Sequence, residues 1–276
     1  MYRIVSKRQL NPSVSWMEIE APFIAKKVKA GQFIILRVNE RGERIPLTVA
    51  DHNEETGTIT VIFQKVGKTT LLLDELNVGD SLLDVVGPLG RATEIDGFKR
   101  VAVIGGGVGC AIAYPEAKAF YQNGAHVDMI VGFRNREMVM LEEEFRAASS
   151  RLFVMTDDGT YGEQGFVTAK LQQLLDDGAE YDLVMAIGPL PMMRAVANVT
   201  KENAVKTIVS MNPIMVDGTG MCGGCRLTVG GEVKFACVDG PEFDAHQVDW
   251  DEAMHRLNQY KEEEHACRLT QQGKAE

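Results

Sequence analysis

The chain has 276 residues, 45% of them hydrophobic and 25% charged, and a formal net charge of −10. At roughly 100–200 residues per domain, this length predicts about two domains with buried cores. The acidic balance argues against nucleic acid or an anionic membrane as a main partner; no apolar run approaches the ~18–20 residues of a spanning helix, and the start Met1-Tyr2-Arg3-Ile4-Val5-Ser6-Lys7 lacks the apolar core of a signal peptide, so a cytoplasmic location is expected.

Residues 1–98 read as an all-β domain. β-branched or alternating runs at 13–19, 33–38, 45–49, 58–66 and 81–86 are separated by turn signals at Gly31, 39–42, 51–57, Gly79-Asp80 and Gly87-Pro88. Short strands at this spacing predict a small barrel, interrupted by one helix at 69–76. Residues 99–212 change style. Strands at 101–104, 126–131, 152–156, 183–187 and 207–211 alternate with helices at 110–123, 138–148, 167–175 and 191–200. That alternation predicts an α/β domain with a parallel sheet covered on both faces. Residues 213–243 are glycine-rich and form a third, small unit, with a hairpin around Gly230-Gly231. Residues 244–276 are expected as a tail with a charged, exposed helix at 250–265.

Of the five cysteines, Cys222, Cys225 and Cys237 fall in one short segment, while Cys110 and Cys267 lie apart. In a reducing compartment this clustering points to metal rather than disulfides. The segment reads Asp217-Gly218-Thr219-Gly220-Met221-Cys222-Gly223-Gly224-Cys225. Plant-type [2Fe–2S] centres use C-x4-C-x2-C and a distant fourth cysteine; this segment keeps that frame with an aspartate in the first slot. Glycines suit such a loop because they permit positive φ and let backbone amides approach the sulfides. The expected ligands are Asp217, Cys222, Cys225 and Cys237. A carboxylate is a harder donor than a thiolate, so this site should differ from an all-cysteine one in potential and acid stability. Zinc, a fourth ligand from Cys110 or Cys267, and simple burial of the thiols stay open beside it. Asp217-Gly218 is also a common turn pair.

Gly105-Gly106-Gly107-Val108-Gly109 follows an apolar strand and opens a helix, where glycines let a pyrophosphate approach the backbone and the helix N-terminus favours its charge. The spacing is not G-x-G-x-x-G. Gly132-Phe133-Arg134, Asp157-Asp158-Gly159 and Gly188-Pro189 end the next strands, and ligands of open α/β sheets bind at that carboxyl edge. Met192 and Met193 are expected in the core. In the β domain, Arg44 and Thr48 on one strand, and Gly67-Lys68-Thr69-Thr70 at a helix start, are candidate phosphate contacts; a plain helix cap is the other reading of Thr69 or Thr70.

Together these residues resemble the ferredoxin–NADP reductase superfamily, in which a β-barrel binds a flavin and an α/β domain binds a nicotinamide nucleotide. Arg44-x-Pro46-Leu47-Thr48 matches that superfamily's R-x-[YF]-[ST] signature loosely. The departure, and the added cysteine segment, resemble one subgroup over about residues 1–245: the electron-transfer subunits of dihydroorotate dehydrogenase B and related oxidoreductases. Dihydroorotate-type subunits carry four cysteines. Asp217 in the first slot resembles instead the small-subunit family of NADH-dependent reduced ferredoxin:NADP oxidoreductase (sulfide dehydrogenase).

The resemblance implies FAD, a [2Fe–2S] cluster and NAD(H) as cofactors. It places Arg44, Pro46, Leu47, Thr48, Gly67, Thr69 and Thr70 at FAD. Around the nicotinamide nucleotide it places Gly105, Gly106, Gly107, Val108, Gly109, Gly132, Arg134, Asp157, Asp158, Gly188 and Pro189. It further implies an electron-bifurcating heterodimer with a larger flavoprotein subunit that carries a second FAD, [4Fe–4S] clusters and the NADP(H) site, ferredoxin being reached through that partner. The cofactors carry the chemistry, so no catalytic side chain is expected. Arg134 would also suit a 2′-phosphate, which sets NADP against the NAD that the resemblance implies. Two other functions compete: the dihydroorotate-type subunit, whose partner holds FMN, and a zinc-containing nucleotide-binding module without redox activity.

Overall fold

The computed structural model of the protein describes residues 2–40, 42–260 and 262. Its first part runs β1 (Tyr2–Asn11), β2 (Val14–Glu20), α1 (Pro22–Ala25), β3 (Phe33–Arg37), β4 (Arg44–Asn53), β5 (Thr58–Gln64), α2 (Lys68–Glu75), β6 (Ser81–Leu82) and β7 (Asp84–Leu89). The strands form one antiparallel sheet in the order β6-β1-β2-β5-β4-β3-β7. β6 and β7 stand at opposite edges yet only Leu83 separates them in sequence, so the sheet must curl until its edges meet. The result is the nearly closed barrel that the spacing predicts. Ile4, Met17, Ile34, Leu36, Ile59, Val61 and Phe63 fill it. β1 was not expected: its exposed face carries Arg3 and Arg8, and charges mask the alternation. Gly87-Pro88, expected as a turn, lies inside β7, an edge strand whose pairing with β3 shifts register between Phe33 and Ile35. A proline without an N–H is tolerated at such an edge.

The second part contains β8 (Arg100–Gly106), α3 (Gly109–Gln122), β9 (His126–Phe133), α4 (Glu142–Ala147), β10 (Arg151–Thr156), β11 (Glu163–Gln164), α5 (Val167–Asp176), β12 (Leu183–Ile187), α6 (Leu190–Glu202) and β13 (Thr207–Ser210). From β11 to β13 the strands are parallel, in the order β11-β10-β9-β8-β12-β13. α3 and α4 pack on one face, α5 and α6 on the other. Burial on both faces is why Val101, Ala102, Val103 and Ile104 form an unbroken apolar run, all fully buried. The helix expected at 138–148 is split into a 3-10 turn, Arg136–Met138, and α4. Asn135 caps the turn through its side chain, and Leu141 takes φ +56 just before α4, which interrupts a continuous helix.

The chain after β13 forms the hairpin β14 (Arg226–Val229) and β15 (Glu232–Phe235) around Gly230-Gly231, as expected. It then returns as β16 (Glu242–Asp244), an unpredicted antiparallel edge strand on β13. Cys225, Leu227, Ala236 and Cys237 share one core with the α5/α6 face. α7 (Trp250–Leu257) lies within the stretch expected as a helix at 250–265, is followed by a turn at 258–260, and is not free. Ala253 is buried, Trp250 Nε1 donates to Ala245 O at 3.1 Å, and Arg256 donates to Gly224 O at 3.1 Å. The rest of the expected tail, 263–276, falls outside the described residues. Among the described residues, no helix is long and apolar enough to cross a membrane.

Candidate functional site

The barrel docks on the nucleotide sheet through Val14, Ala50 and Ile62, which pack with α3. Lys118 of α3 also meets Asp51 of β4 at 2.8 Å. Between the two parts lies a cleft of about 1060 Å³. It opens where the parallel order reverses between β8 and β12, at the carboxyl ends of the strands, the place where doubly wound sheets bind ligands. Backbone hydrogen bonds stitch that edge together: Gly107 N donates to Gly132 O at 2.9 Å, and Asp157 N to Phe133 O at 3.0 Å. A Cβ on Gly109 would stand 2.5 Å from Ile187 O and 2.7 Å from Gly188 Cα. Only a residue without a side chain lets α3 start this close to β12.

The cleft gathers most of the residues expected around a flavin and a nucleotide. Pro46, Leu47 and Thr48 come from β4; Gly106, Gly107, Val108, Gly109, Gly132, Arg134, Asp157, Gly188 and Pro189 come from the sheet edge. Six expected residues do not line it. Gly105 is buried behind the edge, where a Cβ would meet Cys110 Cα at 2.6 Å. The Asp158 carboxylate accepts from Thr160 N (3.0 Å) and Oγ1 (2.7 Å), which holds its pKa below the ordinary carboxylate value and builds the turn. Thr69 Oγ1 donates to Glu43 at 3.1 Å. Thr70 Oγ1 accepts from Gly67 N at 3.0 Å, the capping role that was the alternative reading. Gly67 is the N-cap of α2. Arg44 donates from Nε to Val216 O at 2.9 Å and from Nη2 to Asp217 O at 3.3 Å, so it faces the cysteine segment.

The cleft also takes in Gln64, Phe166, Asn212 and Pro241, which sequence reasoning missed. Phe166 had a signal: an aromatic side chain in a polar, glycine-bounded loop just ahead of a helix. The other three had none, since they come from separate segments joined only by the fold. Met193 is buried in the core as expected, but Met192 lines the cleft.

In the cysteine segment, Cys225 and Cys237 are buried free thiols with their sulfurs 3.2 Å apart. Two sulfurs on one tetrahedral metal at ~2.3 Å each would stand about 3.8 Å apart, so this pair is within reach of shared ligation. Burial, then the neighbouring Cys225, push the Cys237 thiol up to about 12; a bound cation would reverse that, because metal binding deprotonates thiols. Cys222 is exposed, and the Gly224 amide approaches its sulfur at 3.5 Å and lowers its pKa. Asp217 Oδ2 accepts from Thr219 N (2.9 Å), Thr219 Oγ1 (2.5 Å) and Met221 N (3.2 Å), which lower its pKa and curl the loop. Gly218 lies at φ +84, and a Cβ there would strike Ile35 and Leu89 of the barrel at 2.9 Å. Among the described residues, no three His, Cys, Asp or Glu side chains converge tightly enough for a single ion. The donor set, two buried thiols and one exposed thiol on an amide-rich loop, fits a cluster with more than one iron better than one closed ion site. Cys110 belongs elsewhere. It packs at the start of α3 with its sulfur 3.8 Å from Gly132 O, in the core on the opposite sheet face, and burial raises it to about 12.

Comparison with known proteins agrees with this layout. Residues 1–93 match the Oxidoreductase FAD-binding domain family, 103–198 the Oxidoreductase NAD-binding domain family, and 212–249 the Iron-sulfur cluster binding domain of dihydroorotate dehydrogenase B. The chain is 50% identical to a Clostridium beijerinckii protein of the adh 3′ region, over 98% of this chain and 94% of that protein. It is 46% identical to the Dihydroorotate dehydrogenase B (NAD(+)), electron transfer subunit homolog of Thermotoga maritima, over 95% and 92%. Among solved structures, a chain of the NADH-dependent reduced ferredoxin-NADP oxidoreductase is 43% identical with a TM-score of 0.93, covering 98% of this chain and 97% of that one. These matches set aside the zinc-module reading. The chain belongs to the family of dihydroorotate dehydrogenase B electron-transfer subunits and their homologues, oxidoreductase subunits that join an FAD-binding barrel, an NAD-binding α/β domain and an iron–sulfur segment.

Proposed function

We propose that this chain is the cytoplasmic small subunit of an electron-bifurcating NADH-dependent ferredoxin:NADP oxidoreductase, paired with a larger flavoprotein subunit bearing [4Fe–4S] clusters. When bound, NAD(H) would supply hydride chemistry, FAD the link between two-electron and one-electron transfer with release of the proton, and a [2Fe–2S] cluster one-electron transfer. The protein's own work is placement. Pro46, Leu47 and Thr48 form the barrel wall of the cleft and hold the flavin; Gly106, Gly107, Gly132 and Gly188 form the opposite wall, where a nucleotide backbone can approach. Arg134 and Asp157 frame the outer end of the nucleotide site. Asp217, Cys222, Cys225 and Cys237 hold the cluster.

The observation that carries this reading is the shared strand β4. It supplies Pro46 and Thr48 to the cleft and Arg44 to the cysteine segment, which joins the two candidate redox sites through one rigid element. Met221 and Val216 of the segment stand 88% and 51% exposed, apolar side chains that a docked partner would cover. The test is anaerobic co-purification of the native complex with absorption and EPR spectra. Flavin and cluster bands, with a co-purifying flavoprotein that reduces NADP, support the proposal. A partner that holds FMN and oxidises dihydroorotate favours the second reading, to which the dihydroorotate dehydrogenase B cluster-domain match points. Steady-state kinetics with NADH and NADPH decide the nucleotide.

A further inference from the structure

Two arginines of the barrel part reach the cysteine segment, one at each end. Successive side chains of a strand alternate, so Arg44, Pro46 and Thr48 share one face of β4. Pro46 and Thr48 line the cleft; Arg44, nearer the start of the strand, bonds the carbonyls of Val216 and Asp217. At the far end of the same segment, Arg91 Nε donates to Val238 O at 3.2 Å, and its Nη2 lies 3.6 Å from Asp239 Oδ1. The Arg91 amide adds a bond to Gly240 O at 2.7 Å. Between these grips, Gly218 is pressed against Ile35 of β3 and Leu89 of β7. Each grip falls beside an expected ligand: Arg44 on Asp217 itself, Arg91 on the residue after Cys237.

We propose that Arg44 and Arg91 are paired positioning residues that clamp the two ends of the cluster-binding segment onto the barrel and so fix the cluster relative to the flavin. This rests on the cluster reading above. Arginine suits the task because its planar fork serves two acceptors at once while its charge stays constant. Two consequences follow from charge and geometry. A guanidinium beside the cluster favours the reduced, more negative state and raises the potential. A held loop keeps its amides aimed at the sulfurs, which tunes the potential and shields the cluster. Arg44 is therefore taken away from the flavin contact that the sequence signature suggested.

The test uses the full chain purified anaerobically, as wild type and as Arg44→Gln, Arg44→Lys and Arg91→Gln. FAD per chain, the melting temperature, an EPR-monitored redox titration and the rate of cluster bleaching under chelator are measured. Both Gln variants should keep FAD and melting temperature, show a lowered cluster potential, and bleach about tenfold faster, as the loss of one or two charge-assisted hydrogen bonds implies. Arg44→Lys should restore the potential but not the bleaching rate, since charge returns without the fork. If Arg44→Gln loses FAD while cluster potential and bleaching stay at wild type, Arg44 serves the flavin and the clamp is wrong. Wild-type potential and bleaching in both Gln variants also overturn it. A wild-type chain without cluster absorption overturns the cluster reading, and the clamp with it.

Discussion

Asp217 spends Oδ2 on three donors of its own loop, so any metal it binds competes with, or adds to, a structural task. If it is the fourth ligand, Asp217→Cys replaces a hard donor by a soft one. The variant should show an altered EPR line shape and slower bleaching below pH 5; a spectrum and acid sensitivity identical to wild type would remove Asp217 from the ligand set. Phe166 gives a second prediction. It is 67% exposed at the start of α5 and lines the cleft, a costly place for an aromatic ring unless something stacks on it. Base–aromatic stacking is worth ~1–3 kcal/mol, so Phe166→Ala should raise KM for NADH roughly tenfold, and its melting temperature should stay within a degree or so because the ring is exposed. An unchanged KM would leave Phe166 a surface residue. Legibility at this scale was uneven. The cysteines and the edge glycines announce themselves by spacing, whereas Arg44 does not: sequence puts it on the right face of the right strand, but only the crossing of a segment more than 170 residues away decides what it touches.

At the level of elements, the sequence was readable where burial is two-sided. Val101, Ala102, Val103 and Ile104 need no alternation to be recognised as a strand, because both faces of the sheet are covered. It was least readable where one residue overrides its neighbours. Leu141 at φ +56 breaks a stretch of good helix formers, and β16 is three residues that become a strand only because β13 offers an open edge. α3 offers the element-scale test. Its start is held against β12 by the missing side chain of Gly109. In Gly109→Ala the new methyl would stand 2.5 Å from Ile187 O, a backbone atom that cannot rotate away, so α3 must shift. The expected loss is about 1–3 kcal/mol of stability, together with weaker nucleotide binding, since Val108 and Gly109, which line the cleft, move with the helix start. Thermal denaturation and NADH titration check both; an unchanged melting temperature would mean the helix start tolerates a larger separation than this packing allows.

The whole molecule is joined at a point that no motif marked. Glu116 of α3 is fully buried and neither carboxyl oxygen has a hydrogen-bond partner among the described residues. Glu242 of β16 turns its carboxyl inward and accepts from Thr93 Oγ1 at 2.6 Å, while Thr93 N donates to Ala30 O of the barrel part at 2.9 Å. Barrel, connecting segment, nucleotide domain and returning C-terminal strand therefore meet around two carboxyls that repel each other. Burial, and then Glu242, hold the Glu116 pKa well above the carboxylate range; burial, with Glu94 adding to it, pushes Glu242 up to about 7. The folded state thus prefers the protonated Glu242, whereas the unfolded chain ionises it near ~4.3. Its contribution to stability is complete below the unfolded value, is lost as pH rises toward 7, and is constant above that. At ~1.4 kcal/mol per unit the loss is at most about 4 kcal/mol, and less to the extent that water reaches this half-buried residue. Glu242→Gln keeps a neutral hydrogen-bonding group at every pH. In the FAD-loaded chain, urea unfolding between pH 5 and 8 should show wild type losing stability relative to Glu242→Gln as pH rises, with the variant the more stable at pH 8. Parallel curves across that range would mean Glu242 is ionised at neutral pH in the folded protein, leaving Glu116 as the junction's protonated carboxyl.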